Sequence, residues 1–139
     1  MIEVKKVPKE MWVEMAEEAH LVVFNEIRRN EQNRIDFTLL AVDEVPLQYV
    51  TCRELDNETL YWQYGGAFPS CKGTPKSFAA YKAIIEACKN LGYKRISFLV
   101  ENNNFSMLKF ALAVECNIVG MRTFQGSIWL EHLKEFKED

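Results

Sequence analysis

The segment Lys72–Ile96, KGTPKSFAAYKAIIEACKNLGYKRI, constrains this chain more than any other. It reads as a tight turn holding Gly73 and Pro75, then one amphipathic helix from about Lys76 to Leu91. Tyr81, Ile84, Ile85, Cys88 and Leu91 fall on one face at helical spacing. Gly92 follows as a left-handed stop, and Ile96–Val100 reads as a buried strand. Upstream, Leu60–Tyr64 reads as another strand ending in Gly65-Gly66. A strand, a small-residue turn and a helix start aim backbone N–H groups and the positive helix end at one point. Such a point suits a phosphate or pyrophosphate.

The rest of the chain narrows what can surround that point. The 139 residues make one domain, long enough to bury roughly 68% of the unfolded surface. Apolar residues make up 48% of them, which excludes disorder except in a frayed tail over 134–139. A net charge of −3 argues against a nucleic-acid-binding face, and Lys5-Lys6 and Arg28-Arg29 are far apart. No apolar run approaches a membrane span, and Met1–Val4 lacks the pattern of a signal peptide. These features lead us to expect a cytoplasmic protein. Cys52, Cys71, Cys88 and Cys116 are scattered, with no C-x-x-C and no nearby histidine, since His20 and His132 lie near opposite ends. Reduced, mostly buried thiols are expected, and no metal site.

Ile2–Val7 is a short strand, closed by Pro8 before a helix. From Lys9 to about Arg29, Trp12, Met15, Ala19, Val22, Val23 and Ile27 recur at helical steps, as one helix or two. Asn30–Arg34 is a polar break. A meander follows: Phe37 to Asp43-Glu44, then Pro46–Cys52 with proline tolerated at a strand start, then Leu60–Tyr64 after an Asp56-Asn57 turn. Asn102–Asn104 is a cap signal for a helix with Leu108, Ala111, Leu112 and Cys116 on one side. Ile118–Phe124 and Ser127–Glu131 read as a closing hairpin across Gln125-Gly126. Trp12, Trp62 and Trp129 sit in apolar-periodic segments as core or rim anchors.

The resulting order, β-α-β-β-β-α-β-α-β-β, and the turn at Lys72–Ser77 resemble the GCN5-related N-acetyltransferase (GNAT) superfamily. The resemblance covers the whole chain coarsely and is sharpest from Ala67 to Gly120. Ala67-Phe68-Pro69 is similar to the family's Val-x-Pro, and Lys72–Ser77 takes the place of its Arg/Gln-x-x-Gly-x-Gly/Ala loop. Val100–Asn104 and Ile118-Val119-Gly120 match two further stretches. The resemblance implies an α/β fold of the mixed-sheet GNAT type, with helices on both faces of the sheet. It also implies acetyl-CoA as co-substrate and an amine acceptor; that neither a metal nor a membrane is involved is expected from the scattered cysteines and the short apolar runs above.

On that resemblance the pyrophosphate contacts are Lys72, Gly73, Thr74, Lys76 and Ser77, with Asn104 a further cofactor contact. Gly65-Gly66 is the composition of a strand bulge, and an oxyanion donor would come from the Gly66–Phe68 backbone, with Ala67 and Phe68 against the thioester. The same glycine pair could instead let a bulky neighbour pack close. Pro75 takes the first loop Gly of the family pattern and lacks its N–H; Ser77 is larger than the final Gly. The family's acid Tyr falls on Ala111, and the Gly and Phe of its Leu-Gly-Phe fall on Glu115 and Cys116. Tyr64 or Tyr81 would then act as acid in its place. Glu101, ending the Ile96–Val100 strand, is the carboxylate best placed to act as base, or it serves only as a helix-start charge.

Two functions follow as expectations. One is an N-acetyltransferase moving an acetyl group from acetyl-CoA to an amine. The other is a catalytically impaired GNAT-fold binding or structural module, of a kind that tailed phages encode. A homodimer or larger assembly is open under either.

Overall fold

The computed structural model describes residues 1–18 and 35–137. Its strands are β1 (Glu3–Pro8), β2 (Phe37–Asp43), β3 (Val45–Glu54), β4 (Thr59–Ala67), β5 (Arg95–Glu101), β6 (Asn117–Phe124) and β7 (Ser127–Glu135). The described helices are α1 (Lys9–Glu18), α2 (Pro75–Asn90) and α3 (Phe105–Ala113). The strands form a seven-stranded mixed sheet in the order β1-β2-β3-β4-β5-β7-β6. Contacts group the chain into two compact units, Met1–Arg53 with Gln63–Ile84, and Glu54–Trp62 with Ile85–Asp139. Strand β4 and helix α2 each run through both.

In the first unit β1, β2 and β3 form an antiparallel meander. Buried Leu39, Leu40, Ala41, Leu47, Tyr49 and Val50 alternate along β2 and β3 with buried Thr38, Gln48 and Thr51. Both faces are therefore covered, which suits the near-continuous apolar pattern. Pro46 stands second in β3, opposite Val42, where the register shifts by a bulge. A ladder position already broken there loses little by a missing N–H. One cluster in this unit joins Val7, Trp12, Ala16, Leu40 and Tyr49, with Tyr64 and Phe68 packed against it. Trp12 and Tyr49 lie 5.0 Å apart between ring centroids. The expected helix reaches Glu18 among the described residues; its continuation through Ala19, Val22, Val23 and Ile27, with His20, Arg28-Arg29 and the Asn30–Arg34 break, lies outside them.

In the second unit the first residues of β4 pair in parallel with β5, from Thr59 opposite Arg95 to Trp62 opposite Phe98. Trp62, Phe98 and His132 stack in series, at 5.7 Å and 5.3 Å between neighbouring centroids. Asp56 Oδ1 accepts from the Glu58 and Thr59 N–H groups at 2.8 Å each, which makes the expected turn. Gln125 and Gly126, at φ +49° and +78°, close the β6–β7 hairpin. Both central residues at positive φ match the right-handed twist of the flanking strands.

The structure corrects several details. Helix α2 starts at Pro75 and ends at Asn90; Leu91 lies in the turn beyond it and is exposed. Gly92 takes φ +100°, as the stop reading expects. On α3, Phe110, Ala111 and Val114 face inward while Leu112 is exposed. Steps of three and four from Ala111 lead to Met107 and Val114, not to Leu112. Strand β4 does not end at the glycine pair but continues through it to Ala67. The expected frayed tail begins too early: Lys134 and Glu135 belong to β7 and pair with Ile96 and Arg95. The Lys134 ammonium also donates to the Val114 carbonyl at 2.6 Å, which anchors it. Among the described residues no helix is long and apolar enough to cross a membrane.

Candidate active site

The site lies in the first unit, where β4 runs through Gly65-Gly66 and turns into α2. The turn is built from its own carbonyls. Phe68 O accepts from the Cys71 and Lys72 N–H groups, Cys71 O from Thr74 N–H and Oγ1–H, and Thr74 O from Ser77 N–H. Gly73, at φ +74°, supplies the left-handed step that folds the chain back. The Gly73 and Lys76 amides make no backbone bond among the described residues. Pro75 is the first residue of α2, where a missing N–H is one of the helix's orphans anyway. Proline at this position therefore costs the helix nothing.

Of the loop side chains, Lys72 and Lys76 are exposed and can move onto a bound phosphate. Ser77 is half-buried, and its hydroxyl donates to Gln48 Oε1 at 3.3 Å. Gln48 is fully buried on β3, so Ser77 ties the helix start to the sheet. Thr74 Oγ1 donates to Cys71 O at 2.7 Å and holds the turn in the same way. The expected contacts thus divide into two kinds: Lys72, Gly73 and Lys76 are exposed, while the Thr74 and Ser77 hydroxyls are engaged in holding the turn and the helix start. Two Lys charges, two orphan amides and a helix N-terminus fit a pyrophosphate.

The glycine pair is packed as well as permissive. A Cβ on Gly66 would come within 2.6 Å of the Tyr49 hydroxyl and 2.8–2.9 Å of its ring. A Cβ on Gly65 would lie 3.1 Å from the Tyr81 hydroxyl. Tyr49 and Tyr81 therefore seat themselves on the β4 backbone, and glycine is what admits them. Tyr64 is held differently. Its N–H donates to Thr51 Oγ1 at 3.0 Å and its carbonyl accepts from the same hydroxyl at 3.3 Å, while its ring packs on the Tyr49 cluster. The Phe68 N–H donates to Leu47 O at 2.9 Å, so an oxyanion donor within Gly66–Phe68 falls to Gly66 or Ala67.

Burial pushes the Tyr81 phenol up to about 12, helped by the neighbouring Tyr49 and Cys71. Burial raises Tyr49 as well. Both rings stay protonated through the neutral range and are proton donors there. Tyr49 was not legible as a site residue: on β3 it reads as one more apolar strand position, and only the fold sets it over Gly66.

Two expected residues belong to the second unit. Glu101 ends β5 opposite Trp129, and its carbonyl accepts from Asn104 N–H at 2.9 Å. Asn104 is the N-cap of α3, where Oδ1 accepts from Met107 N–H at 3.3 Å. Ala111, in place of the family's acid Tyr, is buried in α3. Glu115 takes φ +63°, the left-handed conformation that glycine adopts without steric cost.

No family model matches the sequence, and no curated protein matches it closely enough to be a relative. Solved structures do match. A GNAT family acetyltransferase from Elizabethkingia anophelis, with acetyl-CoA bound, superposes at a TM-score of 0.73 with 12% identity, over 97% of this chain and 98% of that one. The ribosomal-protein-S18-alanine N-acetyltransferase from Escherichia coli gives 0.74 at 9% identity, over 100% and 96%. A spermidine/spermine N-acetyltransferase from Vibrio cholerae gives 0.69 at 8% identity, over 97% and 95%. This chain has the fold of the GNAT acetyltransferases.

Proposed function

We propose that the protein is an acetyl-CoA-dependent N-acyltransferase acting on an amine. The observation that carries the reading is the turn from β4 into α2. Gly73 and Lys76 amides without backbone partners and two flexible lysines converge there, on a fold whose solved examples include one with acetyl-CoA bound. Acetyl-CoA, when bound, supplies an activated acetyl group on a good thiolate leaving group. The chain's residues do the rest. Lys72, Lys76 and the α2 start hold the pyrophosphate and so fix the thioester near Gly66 and Ala67. One of those two N–H groups donates to the carbonyl oxygen as negative charge develops on it. The acceptor nitrogen attacks the carbonyl carbon; a C–N bond forms, the C–S bond breaks, and the nitrogen gives up a proton.

In this reading Glu101 receives that proton, directly or through water, and Tyr81 donates one to the departing sulfur. Tyr81 is preferred to Tyr64 because its hydroxyl lies against Gly65, whereas the Tyr64 ring packs on the core cluster. Asn104 caps α3 and supports the cofactor only through that helix. The test is release of free thiol from acetyl-CoA in the presence of small polyamines and peptide amines. Thiol release that depends on the amine supports the enzyme. Saturable CoA binding without release favours the second reading, a GNAT-fold binding module, for which the buried Ala111 in place of an acid is the specific observation.

A further inference from the structure

Tyr49 carries a hydroxyl that the acyltransfer reading leaves unused. The residue stands on β3 in the first unit, and its ring reaches onto the β4 backbone where Gly66 leaves room. The hydroxyl is the ring atom nearest to where a Gly66 Cβ would be, at 2.6 Å. Trp12 lies 5.0 Å from the ring between centroids, and Phe68 meets it edge-on at 5.8 Å. At 7% exposure the ring is held in this pose by packing. Burial alone raises its pKa, and no group among the described residues is hydrogen-bonded to its hydroxyl.

The backbone beside that hydroxyl is open along one edge. The parallel ladder to β5 runs from Thr59 to Trp62 and stops there, while β4 continues to Ala67. Phe68 N–H donates back to Leu47 O on β3. Successive N–H groups of a strand point to opposite edges, so the Ala67 N–H points away from β3, to the edge that the ladder has left. Gly66 therefore has a backbone donor at its edge and a phenol donor on its face. The Tyr81 hydroxyl lies against Gly65, whose side-chain direction is the other face of the strand. The two tyrosines thus approach β4 from opposite faces and address different atoms of anything bound at its edge.

We propose that the Tyr49 hydroxyl is a catalytic donor to the acyl oxygen of the thioester, beside the Ala67 N–H. The proposal rests on the acyltransferase reading and deepens it. As the amine nitrogen bonds to the carbonyl carbon, the carbonyl pair moves onto oxygen, and an oxyanion accepts from both donors. When the pair returns, the C–S bond breaks and sulfur leaves with its electrons. Tyr49 keeps its proton throughout, so its part is to hold charge and not to transfer a proton. A single backbone N–H leaves lone pairs of the oxyanion without a partner, and a packed phenol supplies a second donor with no reorganisation.

The test is the infrared carbonyl band of acetyl-CoA, carbon-13-labelled at the carbonyl, bound to the full chain without amine. Two donors draw the band of the wild-type complex below that of free acetyl-CoA. Tyr49→Phe keeps the packed ring and moves the band back towards the free position, whereas Tyr81→Phe leaves it in place. With an amine present, Tyr49→Phe lowers kcat for thiol release by roughly 10²–10³-fold, the loss of one oxyanion donor, while the KM for acetyl-CoA stays nearly unchanged. An unmoved band in Tyr49→Phe overturns the proposal, and so does an equal movement in Tyr81→Phe. A wild type that binds acetyl-CoA without turnover defeats the enzyme reading separately, and the band then decides the contact alone. A wild type that binds no acetyl-CoA overturns both.

Discussion

At the residue scale the glycine pair carries the sharpest consequence. Gly66 has no room for a methyl because the Tyr49 ring occupies its place, whereas Gly65 meets only the tip of Tyr81. Gly66→Ala should cost about 1–3 kcal/mol in urea unfolding, and Gly65→Ala less. Combining Gly66→Ala with Tyr49→Ala should recover part of the loss, since the clash is pairwise. Additive losses would show that the ring is not the obstacle. Tyr81 gives a pH signature. The unfolded chain ionises it near its ordinary 10.0, while burial keeps it protonated to about 12 in the folded chain. The folded state therefore holds more protons across that window, so stability falls as pH rises from 10 to 12 and is unaffected by Tyr81 below it. The loss by the upper end is about 2–3 kcal/mol. Cys88, raised by burial from 9.0 to about 12, adds a loss of the same sign from its lower starting point. Tyr81→Phe should flatten the decline measured by urea midpoints above pH 10, and an unchanged slope would remove Tyr81 from its buried setting.

At the element scale the helix ends are the weak points. Glu115 holds φ +63° just past the C-cap of α3, at a cost of the order that glycine avoids. Glu115→Gly should raise stability by about 0.5–1 kcal/mol, read as a higher melting temperature. Asn104→Ala removes the cap bond and should cost ~1 kcal/mol. CoA affinity should stay unchanged in that variant if Asn104 acts only through the helix; a parallel loss of affinity would make it a direct contact. The elements themselves were legible because their signals are local. The Gly92 stop, the Asn104 cap, the Gln125-Gly126 turn and the apolar runs of β2 to β5 each depend on a few neighbouring residues. Leu112 and Leu91 were misread as inward because periodicity fixes a stripe only to within one residue, and packing chooses its centre. The site was legible in part. The Lys72–Ser77 turn announced itself by glycine, proline and lysine. The roles of Tyr49 and Gln48 did not, since both depend on β3 lying beside β4 and α2, which no local pattern encodes.

At the scale of the whole molecule the fold is held by a sheet whose strands β2, β3 and β5 are mostly buried, while α3 and β6 leave apolar surface open. The sequence differs from the GNAT pattern at Pro75, Ser77 and Ala111, positions to which the resemblance assigns ligand roles, rather than at those that build the sheet. Fold therefore survives those departures, and chemistry depends on whether Lys72, Lys76, Gly73 and the α2 start still hold a pyrophosphate. Calorimetric titration of the wild-type protein with CoA, beside the Lys72→Ala/Lys76→Ala double variant, tests this directly. The account predicts saturable one-site binding by the wild type, and a melting temperature raised by the stabilisation of about 2.7 kcal/mol that a hundredfold excess over the dissociation constant gives. Affinity should fall at least ~10-fold in the double variant through loss of charge-assisted contacts. Absence of binding at about 1 mM CoA, weaker than the −4.1 kcal/mol that this concentration marks, would contradict it, as would equal affinity in both proteins.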